Sequence, residues 1–197
     1  MEWAMAELLY EPDRMRKAQQ ELDTVVGRDR VVEESDIPQL RYLFAVVKET
    51  LRLHPPAPLL VPHRPSSDCD AGGFLIPAGT AVIINAWAIH RDPSRWEDPE
   101  EFKPERFLRD GREQCEFLGG NEFGYLPFGA GRRACPGMAL AERMMLFSLA
   151  SLLHSFEWLL PEGPHMELAD TFGIALRKAE PVVVVPKARL GMSELYA

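Results

Sequence analysis

The segment after Pro136 constrains the fold more than any other. Residues 137–154 carry good helix formers and only two fully charged side chains, Glu142 and Arg143. A helix apolar around nearly its whole circumference belongs in the centre of a fold, so the rest of the chain is expected to pack around it. Its uncharged run, Met144 to Leu153, is far short of the roughly 20 residues needed to cross a bilayer. No transmembrane helix is therefore expected. The net charge of −8, with no long Lys/Arg block, excludes a nucleic-acid binder driven by phosphate contacts. At 46% apolar residues the composition is that of a globular chain, and 197 residues suffice for one domain or at most two small ones.

The first residues, Met1-Glu2-Trp3-Ala4-Met5-Ala6-Glu7-Leu8-Leu9, place acid where a signal peptide needs a basic flank and read as helix interior. Residues 12–26 repeat apolar positions at Met15, Ala18, Leu22 and Val25, with Pro12 suited to a first turn and Gly27 to the position past the end. A second amphipathic helix is expected from Asp36, capped by that side chain onto the Gln39 amide, with an apolar series through Leu40, Leu43, Val46 or Val47, and Leu51. Pro55, Pro56 and Pro58 stop it by His54 and force an extended segment. Residues 72–84 read as a β-hairpin turning at Pro77-Ala78-Gly79, and residues 92–126 as an irregular stretch with room only for short helical turns. Residues 182–185 are at most a short buried strand.

Cys69, Cys115 and Cys135 are odd in number and widely spaced, which argues against a disulfide framework or a zinc cluster and favours a reducing compartment. Cys135, one residue before the proline that opens the buried helix, sits where free amides and the helix dipole favour a thiolate. Such a sulfur is a ligand or a nucleophile. No spacing identifies the histidine base a nucleophile requires. Gly129, Gly131 and Gly137 allow close backbone approach to a large flat group, and Arg133 supplies a cation for an anionic substituent on it.

Phe128-x-x-Gly131-x-Arg133-x-Cys135-x-Gly137 resembles the haem-thiolate signature of the cytochrome P450 family at every fixed position, and the wider string Pro-Phe-Gly-Ala-Gly-Arg-Arg-Ala-Cys-Pro-Gly is similar to its plant microsomal branch. Glu49 and Arg52, three apart on one helix face, would by themselves be an ordinary surface pair worth ~0.2–0.5 kcal/mol. The resemblance makes them the E-x-x-R motif, and Pro104-Glu105-Arg106-Phe107 the P-E-R-F motif whose arginine completes a triad of Glu49, Arg52 and Arg106.

The resemblance implies a mainly α fold with a small β component, the C-terminal part of a P450 fold. Residues 1–54 would hold helices including E-x-x-R, 55–91 an extended segment and hairpin, 92–134 the irregular region with the haem loop, 135–155 the buried helix, and 156–197 C-terminal strands. It implies Cys135 as axial ligand of the iron of haem b, a ligation that favours O–O cleavage. The implied activity is a monooxygenase that inserts one atom of O2 into a hydrophobic small molecule, with electrons from NADPH through NADPH-cytochrome P450 reductase. Phe128 would shield the sulfur, Arg133 and His63 would reach haem propionates, and Gly131, Gly137 and Ala141 would give the macrocycle room. Substrate contacts map to Ala57, Leu60, Val61, Phe172, Gly173 and Ile174, and basic reductase contacts to Lys103, Arg109, Arg132 and Arg143. His54, His90, His154 and His165 lack ligand-like spacing and are expected to be surface or satisfied core residues.

The resemblance covers nearly all of the chain, whereas the chain covers less than half of the family pattern. The acid-threonine oxygen-activation motif, most of the substrate pocket and the anchor that holds such proteins on the cytosolic face of the endoplasmic reticulum are expected to lie upstream of it. A non-catalytic haem-binding fragment is therefore the alternative expectation, and a haem-free scaffold that keeps the motif as ancestry a third. The apolar helix after Pro136 would then leave an uncovered patch.

Overall fold

The computed structural model describes residues 1–108, 123–161, 166–173 and 175–191. Helix α1 (Glu2–Tyr10) is buried from Trp3 to Leu9. It ends where Pro12 cannot continue the hydrogen-bond ladder, and Pro12 instead opens α2 (Pro12–Val25). Gly27, at φ +83°, closes α2 with its amide on the Asp23 carbonyl at 3.2 Å.

Asp36 does not open the next α-helix. It is the third residue of a 3₁₀ turn (Glu34–Gln39) whose capping box pairs it reciprocally with Glu33. Helix α3 (Arg41–Leu53) begins only after that turn, and its free first-turn amides are satisfied from another element: the Glu21 carboxylate on α2 accepts from Tyr42 at 2.7 Å and Leu43 at 2.9 Å. The expected hairpin is also displaced. β1 (Cys69–Ala71) pairs antiparallel with β2 (Phe74–Ile76), and the turn is Gly72-Gly73, at φ +62° and +85°, rather than Pro77-Ala78-Gly79. Two consecutive left-handed residues make the tight turn that suits strand twist, and only glycine adopts them without strain. Val82 instead bridges to His63.

A short helix α4 (Ala86–Ile89) and a 3₁₀ turn (Pro104–Phe107) lead towards the cysteine loop. Helix α5 (Met138–Ser155) is buried at Leu146, Leu149, Ala150, Leu153 and His154. Burial all round fails on one side, where the uncovered patch of the alternative expectation is found: Leu140 is 67% exposed and Met144 59%, and Phe147 is exposed beside them. The C-terminal strand also lies later than expected, at β6 (Val185–Ala188), antiparallel to β3 (Phe156–Leu159), while Val182 and Val184 pack on the core as irregular chain. β4 (Asp170–Thr171) and β5 (Arg177–Lys178) form a third ribbon.

Leu8, Leu22, Leu43, Val46, Leu149 and Leu153 form the centre of the core, so α1, α2, α3 and α5 share one apolar interior. A smaller cluster of Ala45, Phe107 and Tyr125 lies on the other flank of α3. It joins that helix to the irregular region and to the entrance of the cysteine loop.

Candidate functional site

Glu49 and Arg52 are not a surface pair. Neither side chain is exposed, and Arg52 donates from Nε and Nη2 to the two Glu49 carboxylate oxygens at 2.8 and 2.9 Å. The remaining Arg52 donors reach the carbonyls of His90 and Pro99, each at 2.7 Å, and Glu101 at 3.1 Å. A guanidinium has five N–H groups in a fixed fork, and here every one has an acceptor. Arg106 approaches Glu49 Oε1 at 3.0 Å and donates to the carbonyls of Glu97, Asp98 and Glu101. The Lys103 amide adds a further bond to Glu49 Oε1 at 2.7 Å. One carboxylate and two cations thus hold the backbone of residues 97–103 against α3.

The end of α3 fixes a second set of contacts. Thr50 keeps a helical partner, the His54 amide at 2.8 Å. Pro56 has no amide to offer the Arg52 carbonyl four residues earlier. That carbonyl is met by His90 Nδ1 at 3.2 Å, and the Leu53 carbonyl by Arg91 Nη2 at 2.6 Å. His90 is completely buried, and its Nε2 accepts from the Leu126 amide at 2.8 Å. Burial lowers its pKa to about 4, against the opposing pull of the Arg52 carbonyl, so the ring is neutral at pH 7. Next to it the Tyr125 hydroxyl donates to the Lys48 carbonyl at 3.0 Å, and burial holds this phenol far above its ordinary range.

From Leu126 the chain enters the cysteine loop. The Gly129 amide bonds to the Leu126 carbonyl at 3.2 Å, and the Cys135 amide to the Phe128 carbonyl at 2.9 Å, which closes the loop at its base. Gly129 and Gly131 have φ of +72° and +67°, a region that penalises any Cβ. Cys135 is an exposed free thiol immediately before α5. Among the described residues, the exposed Arg132 and Arg133 form no ion pair. A Cβ on Gly137 would stand 3.8 Å from Cys135 Sγ, so this glycine keeps one flank of the sulfur clear.

The structure gathers some expected substrate positions and separates others. Ala57, Leu60 and Phe172 line one cavity of about 230 Å³ with Pro58, Leu59, Pro62 and Ile83. Val61 is 76% exposed and lies outside that lining. Gly173 follows Phe172 in an exposed turn, and Ile174 lies outside the described residues. Leu60 is held at φ +50°, and its Cδ1 comes within 4.0 Å of where a Cβ on Gly129 would lie, so the extended segment touches the cysteine loop. His63 is exposed and is tied by its backbone to Val82. Phe128 and Ala141 are half-buried around the loop. Of the expected reductase contacts, Lys103 is already engaged by Asp98 and Glu101, Arg143 faces Glu34 at 3.6 Å, Arg132 is exposed, and Arg109 lies outside the described residues, as do Cys115 and His165.

The cytochrome P450 family profile matches residues 1–185. The chain is 52% identical to cytochrome P450 76C2 of Arabidopsis thaliana over 194 residues, which cover 97% of this chain and 37% of that protein. It is 49% identical to a flavonoid 3'-monooxygenase of Petunia hybrida over 193 residues, which cover 96% of this chain and 38% of that protein. A zebrafish cytochrome P450 solved with abiraterone superposes with a TM-score of 0.83 at 38% identity, covering 95% of this chain and 42% of that one. The chain belongs to the cytochrome P450 family, and its fold is the C-terminal part of the P450 fold. It spans little more than a third of the length of these curated relatives.

Membership implies haem, and the residues present fit it. An exposed sulfur, an exposed Arg133 two residues before it that has no ion pair among the described residues, and a Gly137 that leaves the sulfur's flank open form a surface able to receive a flat anionic macrocycle. Among the described residues no cluster of side chains suits a separate metal ion, and no helix is long and apolar enough to cross a membrane. Sequence reasoning did not foresee the part played by His90 and Tyr125. The available signal was Pro55-Pro56, which leaves carbonyls at the end of α3 that something distant must satisfy.

Proposed function

We propose that this chain is the haem-bearing part of a P450 monooxygenase acting on a hydrophobic small molecule. The observation that carries this is the exposed Cys135 thiol, set before α5 by the bond from its amide to the Phe128 carbonyl. Cys135 would hold the iron, Arg133 would pair with a propionate, and Gly131 and Gly137 would let the macrocycle lie close to the backbone. His63, which is exposed, would offer a second propionate contact. Haem bound through a thiolate supplies the cleavage of O2 and the transfer of one oxygen atom to a C–H bond, the other leaving as water.

The chain's own residues contribute shape and rigidity. Glu49, Arg52 and Arg106 hold the irregular region beneath the loop. Ala57, Leu60 and Phe172 line an apolar cavity open to solvent, a lining that would favour a nonpolar substrate. Three relatives are named flavonoid 3'-monooxygenases, which supports an aromatic substrate at such a lining. Electrons would come from NADPH through a flavoprotein reductase, for which the exposed Arg132 would offer a cation on the sulfur side. The upstream anchor of the family would place the site at the endoplasmic reticulum membrane.

The reduced carbonyl spectrum of the haem-loaded chain tests this. A thiolate-type band lost in Cys135→Ser supports it, and a band absent or unchanged by that substitution refutes it. A second reading, a haem-binding fragment without turnover, is favoured by the uncovered face of α5 at Leu140, Met144 and Phe147. A thiolate band without product formation in the presence of NADPH and reductase would select it.

A further inference from the structure

His90 belongs to none of the motifs that carry the haem assignment, yet it joins two of them. Its ring is buried between the Arg52 carbonyl, on the arginine of the triad, and the Leu126 amide, at the entrance of the cysteine loop. A backbone amide can only donate, so Nε2 must carry the lone pair; a carbonyl can only accept, so Nδ1 must carry the proton. Only the neutral Nδ1–H tautomer makes both bonds. Few side chains combine donor and acceptor at this separation on a rigid ring.

The bond to Leu126 is the first in a short series. The Leu126 carbonyl accepts from Gly129, and the Phe128 carbonyl, two residues along, accepts from Cys135. Tyr125, whose hydroxyl is tied to the Lys48 carbonyl one helical turn before Arg52, keeps the entering segment from pivoting about His90. Two successive residues of the loop entrance are therefore pinned to two carbonyls of α3. Without the imidazole, the Leu126 amide and the Arg52 carbonyl are both buried without a partner, and the entrance must move to find one. Gly129 and Gly131 cannot resist that movement, because neither carries a side chain to pack.

We infer that His90 is a positioning residue for Cys135, setting the place of the sulfur through the Leu126 amide and the loop bonds that follow it. The inference rests on the haem-thiolate reading of Cys135. It is tested on the 197-residue chain. His90→Phe keeps the ring and removes both bonds, whereas His90→Gln keeps an acceptor for Leu126. Each is titrated with haemin, its ferrous carbonyl spectrum recorded, and its backbone hydrogen exchange followed without haem.

In His90→Phe haemin affinity is expected to fall on the order of tenfold, the low end for groups that support a metal ligand, with loss of the thiolate band. Exchange protection is expected to drop over residues 125–135 and to persist in α2. His90→Gln is expected to recover most of the band. A Cys135-dependent band with unchanged haemin affinity in His90→Phe would overturn the inference and leave the haem reading intact. A wild-type band that is absent, or indifferent to Cys135→Ser, would remove both. Should His90→Phe lose protection throughout the chain, His90→Gln decides: a band near the wild-type fraction supports the positioning role, and its loss overturns it.

Discussion

The Glu49 carboxylate and the Arg52 guanidinium meet through two parallel bonds of 2.8 and 2.9 Å, with no exposed surface on either side chain. Three apart on α3, they need almost no loop closure to find each other. The bonds that make Arg52 hard to replace come from the other direction, from carbonyls at residues 90, 99 and 101. The pair is a local unit that gathers distant backbone.

Removing the negative member strands two cations. Glu49→Gln leaves Arg52 buried without a countercharge and takes the partner from Arg106, and is expected to cost about 3–5 kcal/mol. Arg52→Lys keeps the charge but cannot reproduce the fork, and is expected to cost less than Glu49→Gln but more than about 1 kcal/mol. Urea unfolding of the chain measures both. A loss below about 1 kcal/mol for Glu49→Gln would show that the triad does not hold the irregular region in place.

Two glycines flanking Cys135 in sequence should separate stability from cofactor binding. Gly131 lies at φ +67° with open space where a Cβ would project, so Gly131→Ala is expected to cost about 1–2 kcal/mol from backbone strain alone. Gly137 has no positive φ, and its added methyl would meet Cys135 Sγ at an ordinary 3.8 Å. Gly137→Ala is therefore expected to unfold within about 0.5 kcal/mol of wild type while taking up haem more weakly, because the methyl occupies the sulfur's open flank. Equal haemin affinity in Gly137→Ala and wild type would argue against that use of the flank.

His90 should shape the acid side of the stability curve. Its pKa is about 4 in the folded chain and near 6.5 when unfolded, lowered by burial and by the positive charges of Arg52 and Arg91, with the neutral Tyr125 ring on its remaining side. Below pH 6.5 the unfolded chain binds a proton that the folded chain refuses. The contribution is full above that pH, declines as pH falls towards about 4, and amounts to about 3 kcal/mol. Denaturant unfolding at pH 7 and pH 4.5 should show His90→Gln losing less stability on acidification than wild type. Parallel losses would mean that His90 accepts its proton as readily folded as unfolded.

Local signals located the helices better than they located their ends and partners. Pro12 and Gly27 bound α2 as their chemistry requires, and the proline run stops α3. The sequence pattern misplaced the hairpin because Pro77-Ala78-Gly79 is a good turn, but Gly72-Gly73 is a tighter one with strand residues on both sides. Asp36 has the character of a helix cap, yet the cap of α3 is Glu21, a side chain from another helix that no local pattern reveals. The last strand was set by pairing with Phe156–Leu159 rather than by the valine run itself. At the site, the spacing of Glu49, Arg52 and Arg106 was legible as a motif. Its burial was not, since that depends on carbonyls some forty to fifty residues away.

The uncovered side of α5 offers a final test. Apart from Glu142 and Arg143 its sequence is apolar nearly all round, yet Leu140, Met144 and Phe147 face solvent while Leu146, Leu149 and Leu153 are buried. Exposed apolar side chains on a helix add little to folding, so Leu140→Gln, Met144→Gln and Phe147→Gln together should change unfolding free energy by no more than about 1 kcal/mol. Their effect should fall on association instead, because a contiguous apolar face drives self-contact when nothing covers it. Light scattering of the purified chain across a concentration series should show less association in the triple variant than in wild type. A large loss of stability would mean that this face is packed, and that the arrangement of α5 at the cysteine loop differs from the one described.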